Sequence, residues 1–264
     1  MTHHRHDLFQ DLKNALPSCC SSISQVAQEK ECPLTPFLPS RVLDLGFTLP
    51  DGSHPLMRLH VATDSERAGY VALSHRWGLK PKQRMQSRTT LGNISQQCEK
   101  VEFNHLPRTF QDAVTVTRIL GFRYLWIDAL CIIQDDADAW RLQSANMGSI
   151  FKLASMTIAV HSARNSAEGF LWRRGMPEYL SIQPPRYRNS LKTVVYAHIP
   201  KLSDIAIATG FHDGEITKRA WCLQELCLSE RILHFVEDDM ILLTNHLAEL
   251  EFIHKLNILG VPTR

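Results

Sequence analysis

A tryptophan and a glutamate four residues apart stand out first, in the segment Arg219-Ala-Trp-Cys-Leu-Gln-Glu-Leu226. Trp221 and Glu225 are at i and i+4, so on a helix they share one face, flanked by Gln224 and Leu228. A carboxylate beside an indole on an otherwise apolar helix can act as an acid or base, or can stabilise a developing cation. The same spacing suits a glutamate paired with Arg219 or Arg231, and spacing alone favours that ion pair.

A second cluster is Ser74-His75-Arg76-Trp77-Gly78, which follows the apolar run Tyr70-Val-Ala-Leu-Ser74. Arg76 and His75 could hold an anion; equally, they could be a solvated loop charge and a packed imidazole. Asp128 interrupts the apolar stretch Tyr124–Ile133. A buried carboxylate is costly unless paired, so Asp128 either caps a neighbouring loop or lies at the rim of a site. Asp135 and Asp136 could suggest a divalent metal, but the start of a helix explains them more simply. The cluster His3, His4 and His6 reads as a frayed terminus rather than a metal site, so no metal is expected.

Other catalytic templates are missing. The chain has no G-x-S-x-G elbow, no phosphate-binding G-x-x-x-x-G-K-[ST] loop, no G-x-G-x-x-G and no H-E-x-x-H. A nucleophile pair of Cys131 with His161, or Cys222 with His234, is arithmetically possible but has no local signature beside it.

The elements that would position these groups alternate. Val42–Gly46 and Pro55–Ala62 read as strands joined by a turn at Asp51-Gly52, and Tyr70–Ser74 reads as a buried strand. Thr109 and Asp112 have capping-box spacing before a helix with Phe110, Ala113, Val114, Thr117 and Leu120 on one face, which Gly121 would end. Asp135, Asp136 and Asp138 lead into a second helix. Ser155–Val160 is a further buried strand. Residues 164–217 have weak periodicity and read as an insertion with room for one hairpin. A short helix over Trp221–Leu228, strands at Ile232–Val236 and Ile241–Leu243, and an amphipathic helix over Asn245–Leu259 complete the pattern. This order predicts an α/β fold, a mainly parallel sheet flanked by helices. In such sheets the ligand crevice lies beyond the carboxyl ends of the strands. That points to Ser74–Gly78, Asp128–Asp136 and His161–Asn165.

Composition narrows the class. The chain has 264 residues, 44% hydrophobic and 21% charged, with 29 Lys+Arg against 27 Asp+Glu. The net charge of +2 lacks the basic excess of a nucleic-acid binder. Its seven cysteines are odd in number and contain no C-x-x-C pair, which predicts free thiols in a reducing compartment. No signal-like run or membrane span is evident, so a cytoplasmic protein is expected. Residues 1–40 read as an N-terminal arm and 41–264 as a single domain.

Four blocks in order resemble the fungal heterokaryon incompatibility (HET) domain. They are Tyr70-Val-Ala-Leu-Ser-His-Arg-Trp-Gly78, Leu106-Pro-Arg-Thr-Phe-Gln-Asp-Ala113, Leu120–Asp136 and Arg219-Ala-Trp-Cys-Leu-Gln-Glu225. The resemblance covers about 70–228 and implies non-self recognition and regulated cell death in filamentous fungi. The chain is also distantly similar to Toll/interleukin-1 receptor (TIR) domains, which implies a flavodoxin-like or Rossmann-like sheet. Tyr70–Arg76 resembles the first TIR strand and loop, Ile150–Ser166 a helix and strand of that fold, and Trp221–Leu226 the W-C-x-x-E-L segment. The glutamate of that segment serves in NAD cleavage, a role the resemblance carries to Glu225 alone. The 164–217 insertion and His75-Arg76-Trp77 depart from the TIR pattern.

The resemblance thus implies NAD as a substrate rather than a resident cofactor. Cleaving its nicotinamide–ribose bond develops an oxocarbenium-like centre, which one carboxylate can stabilise or orient. Trp221 or Trp77 would stack on a ring and Arg76 would meet phosphate, with Ser74, His75 and Asp128 completing the substrate site. The alternative is a non-enzymatic module that oligomerises or recruits a cell-death partner, with Glu225 structural. Neither reading involves nucleic acid.

Overall fold

The computed structural model describes residues 35–47, 56–78, 88–171, 225–236 and 240–244, and two further short strands at 179–182 and 195–198. The N-terminal arm up to residue 34, the turn at Asp51-Gly52, Trp221, Cys222, Gln224 and the closing helix over 245–259 lie outside the described residues.

The strands are β1 (Arg41–Asp44), β2 (Arg58–Val61), β3 (Tyr70–Ser74), β4 (Tyr124–Trp126), β5 (Met156–Val160), β6 (Tyr179–Ile182), β7 (Val195–His198), β8 (Arg231–Phe235) and β9 (Met240–Thr244). The helices are α1 (Ile94–Glu99), α2 (Arg108–Ile119), α3 (Asp128–Cys131) and α4 (Ala137–Leu153). Seven strands form one sheet in the order β2-β1-β4-β3-β5-β8-β9. The four central strands β4-β3-β5-β8 are parallel. β1 runs antiparallel to β2 and β4, and β9 antiparallel to β8. β6 and β7 pair as a separate antiparallel hairpin, so the segment read as an insertion does carry one.

Helices on both faces explain the continuous apolar runs. β3 and β5 are buried at every residue, whereas the edge strand β2 is buried only at Leu59. Alternation along each strand sends neighbours to opposite sides. Val71, Leu73, Ile158, Val160, Leu233 and Phe235 join Phe110, Ala113 and Val114 of α2 in one core. Tyr70, Ala72, Tyr124 and Trp126 join Ile150 and Phe151 of α4 in the other. The Tyr70 hydroxyl donates to the Ile150 carbonyl at 2.6 Å, tying β3 to α4.

Helix ends follow local chemistry. Gly121, at φ 83°, lets α2 stop: its N–H bonds the Arg118 carbonyl and the Phe122 N–H reaches back to Thr117, a Schellman pattern. Asp136 caps α4 by accepting from the N–H groups of Asp138 and Ala139, both at 3.0 Å. The Tyr124–Ile133 run is not one element. It makes three residues of strand and then turns at Ile127 into the single turn of α3.

The expected capping box does not form. Helix α2 begins at Arg108, behind Pro107, and no side chain caps it. Thr109 and Asp112 instead turn towards the loop after β5. Thr109 Oγ1 accepts from the Gly169 N–H at 3.3 Å, and Asp112 Oδ2 accepts from the Phe170 and Leu171 N–H groups at 2.7 and 3.0 Å. Those loop amides are buried and need acceptors more than the helix start does. Among the described residues, no helix is long and apolar enough to cross a membrane.

Candidate functional site

In a parallel core ordered β4-β3-β5-β8, the chain leaves β3 to one side for β4 and returns on the other side for β5. That reversal opens a crevice beyond the carboxyl ends of β3 and β5, where sheets of this kind place their ligands. Ser74 ends β3, and His161 and Ser162 follow β5 directly.

Beyond Ser74, side chains diverge. His75 is buried, with its ring edge-on to Phe110 of α2 at 5.0 Å between centroids. Arg76 and Trp77 are half-buried. The Trp77 indole packs against the α2-side core, and its Nε1–H donates to Asp128 Oδ2 at 2.7 Å. The other oxygen, Asp128 Oδ1, accepts from the Ala129 N–H at 2.7 Å. Asp128, the first residue of α3, is thus paired on both oxygens and orients a ring at the strand end, while no side chain caps the helix. The Ser166 hydroxyl lies against the carbonyls of Arg76 and Trp77, at 3.4 and 3.5 Å. The loops after β3 and β5 therefore meet above the crevice.

On the face opposite α2 lies a polar group that the sequence did not single out. His161 Nε2 is 2.9 Å from His234 Nδ1, and the two rings stack at 5.1 Å with 26° between planes. Burial holds both imidazoles below their ordinary range, His161 to about 4 and His234 to about 3, the second lowered further by the first. Both are neutral near pH 7. In the sequence His161 opened the strand-end segment His161–Asn165 and both histidines were candidate partners for cysteines, but nothing paired them with each other. Their signal was positional: each occupies the same face of its strand as Ala159, two residues after it on β5 and opposite it on β8.

The cysteine reading fails on its described member. Cys131 is buried in the α4-side core, and its sulfur accepts from the Ile127 N–H at 3.4 Å. Burial pushes its thiol up to about 12, far from a reactive thiolate.

Glu225 is helical, as are the three residues after it. The Ser229 hydroxyl bonds the Glu225 carbonyl at 2.6 Å and Thr157 Oγ1 at 2.7 Å. Thr157 sits two residues before Ala159 on β5, so this turn lies over the same face as Ser74 and the histidine pair. Glu225 is 7% exposed. Trp221, its expected partner, lies outside the described residues. Among the described residues, no group of three or more His, Cys, Asp or Glu could hold a metal.

The sequence blocks at 70–78 and 120–136 thus meet at the carboxyl ends of β3 and β4 through Trp77 and Asp128. The 106–113 block holds the loop after β5, and Glu225 is tied through Ser229 to Thr157 near the start of β5. The family model described as Heterokaryon incompatibility protein (HET) matches residues 70–225, more than half of the chain. No curated protein and no solved structure matches the chain significantly.

Proposed function

The chain belongs to the heterokaryon incompatibility (HET) family, and on that premise we propose that it is a cell-death signalling domain that cleaves NAD at the nicotinamide–ribose bond. The observation that carries this reading is the position of Glu225. Glu225 is buried, on a turn that Ser229 ties to Thr157 on the sheet face that also carries Ser74 and His234, and α/β sheets of this kind bind nucleotides beyond the carboxyl ends of their strands. Nicotinamide leaves as a neutral molecule, so no proton donor is required. A carboxylate near the ribose stabilises the positive charge that develops there. Trp77, its indole oriented by Asp128, offers a stacking surface at the rim, and Arg76 a cation for phosphate. The likeness to TIR domains rests on the W-C-x-x-E-L segment and on the strand order, whose parallel part runs 2-1-3-4 as in flavodoxin-like sheets. We place the enzyme in the cytoplasm, acting as a homo-oligomer or with a signalling partner.

Incubating the purified chain with NAD and measuring nicotinamide release tests this. Release by the wild type that falls at least a hundredfold in Glu225→Gln is the expected result. A second reading, a non-enzymatic assembly module, is favoured by one observation: Glu225 lies in a well-packed turn that Ser229 fixes to β5. Absence of release from demonstrably oligomeric protein would establish that reading instead, whereas full activity in Glu225→Gln would remove Glu225 from the catalytic role.

A further inference from the structure

Ser229 follows the helical residues 225–228 and precedes β8 by two residues. It is 1% exposed, and its side chain makes two short bonds. Its hydroxyl donates to the Glu225 carbonyl at 2.6 Å, and its oxygen lies 2.7 Å from Thr157 Oγ1 on β5. A carbonyl can only accept, and a serine hydroxyl has a single proton. That proton is committed to Glu225, so in the second bond Thr157 is the donor. The two bonds therefore have one direction, from Thr157 through Ser229 to the backbone of Glu225.

Thr157 is suited to be the fixed end of this chain. β5 lies between β3 and β8 and is buried at every residue. The register sets Thr157 beside Ala72 on β3 and Ile232 on β8, so ladders hold its backbone from both sides. A β-branched side chain is stiff at χ1, and the sheet thus dictates where the hydroxyl stands. Valine would fill the same space and suit the strand as well. A buried hydroxyl costs free energy unless it is bonded; what it adds here is the bond to Ser229.

We infer that Thr157 is a positioning residue for Glu225, acting through Ser229: the two hydroxyls set the height of the Glu225 turn over β5, and with it the place of the carboxylate. The inference rests on the reading of Glu225 as the reacting group. Misplacing such a group by about 1 Å can cost on the order of a hundredfold in rate. Thr157 and Ser229 are at most 1% exposed and offer no surface to a substrate, so the effect belongs in kcat rather than in KM.

The test compares nicotinamide release from NAD by the full chain with release by Thr157→Val and Thr157→Ser, each well below its melting temperature. Thr157→Val should lower kcat about tenfold or more and leave KM within about twofold, and Thr157→Ser should restore kcat. Ser229→Ala breaks the same chain at its middle and should reproduce the valine result. A second readout needs no turnover. With the glutamate carboxyls labelled with carbon-13, the Glu225 resonance, assigned through Glu225→Gln, should move in Thr157→Val and return in Thr157→Ser. A tie with no positioning role would lower the melting temperature and leave both kcat and this resonance in place; that result, or a valine loss that serine does not restore, would overturn the inference. If no protein releases nicotinamide, the proposed activity fails, and the Glu225 resonance alone decides whether Thr157 positions it.

Discussion

The Asp112 carboxylate lies directly beneath Gly169, its Oδ2 2.6 Å from where a Cβ on that glycine would stand. Oδ2 of this helix side chain holds the Phe170 and Leu171 amides, clamping the loop after β5 onto α2. The loop's other end touches the carbonyls of Arg76 and Trp77 through Ser166.

Replacing Asp112 by alanine leaves two backbone donors without their acceptor. The expected loss is about 2–4 kcal/mol of stability, because unsatisfied buried amides cost more than the bond itself contributes. Asp112→Asn should lose less, since one amide oxygen still accepts. Denaturant unfolding of the three proteins checks the order; equal stability of Asp112→Ala and wild type would show that the clamp is energetically idle.

Gly169 has φ 77°, so alanine there meets backbone strain as well as the Asp112 oxygen. Gly169→Ala should destabilise by at least about 1 kcal/mol. The double variant Gly169→Ala with Asp112→Ala should cost less than the sum of the two single changes, because the clash is then relieved. Strict additivity in the unfolding midpoints would argue that the two residues are uncoupled.

Trp77 owes its orientation to Asp128. In Asp128→Ala the indole N–H and the Ala129 N–H lose their acceptor, for an expected cost of about 1–2 kcal/mol. The tryptophan emission should shift to longer wavelength as the ring becomes wetter. Comparing spectra with those of Trp77→Phe isolates the signal, and an unshifted spectrum would show that packing alone holds the ring.

The histidine pair makes the fold acid-sensitive in a defined direction. Unfolded histidines titrate near 6.5, whereas burial holds His161 at about 4 and His234 at about 3. Below pH ~6.5 the unfolded chain binds protons that the folded chain refuses. Stability from this source is complete above that pH and is lost as pH falls towards 4 and below. The double variant His161→Gln with His234→Asn should show a shallower fall between pH 6.5 and 4.5 in urea titrations. A slope identical to wild type would mean that other groups govern this range.

Asp44 acts at lower pH. Burial pushes its carboxyl up, but bonds from Arg123 and the Gly46 N–H, with the charges of Arg123 and Arg58, outweigh this and leave it below its ordinary value. Arg123 grips it at 2.7 and 2.8 Å. The stabilisation is present above pH ~4, where the unfolded carboxyl is ionised, and disappears as pH falls through the lowered folded value. Asp44→Asn should therefore be less stable than wild type at pH 7 and nearly equal to it at pH 2, as read from thermal unfolding.

The parallel strands were legible because continuous burial leaves continuous apolar runs, as in Tyr70–Ser74 and Met156–Val160. The sheet-edge location of the site followed from their order. What the sequence hid depends on pairs far apart in the chain. Thr109 and Asp112 have the spacing of a cap, and nothing local reveals that amides 58 and 59 residues away compete for Asp112. The meeting of His161 with His234 depends on the register between β5 and β8, which one residue of slippage would abolish. Asp128 was ambiguous for a similar reason: its bond to the Trp77 indole joins residues 51 apart in the chain.

Between the end of β5 at Val160 and the start of β8 at Arg231 the chain makes a long excursion before rejoining the same sheet. Closing such a loop becomes more expensive only logarithmically, by about 0.6 kcal/mol for each doubling of its length. The β3-to-β5 core can therefore tolerate wide variation in chain length between residues 171 and 225, whereas the loop up to Leu171 is held by Asp112 and the core residue Phe170. Folding speed carries the cost instead, because β8 can dock only after a distant search. β8 and the 225–228 turn, which arrive after this excursion, would be completed late, so a partly folded chain would hold β4, β3 and β5 together before it held the histidine pair.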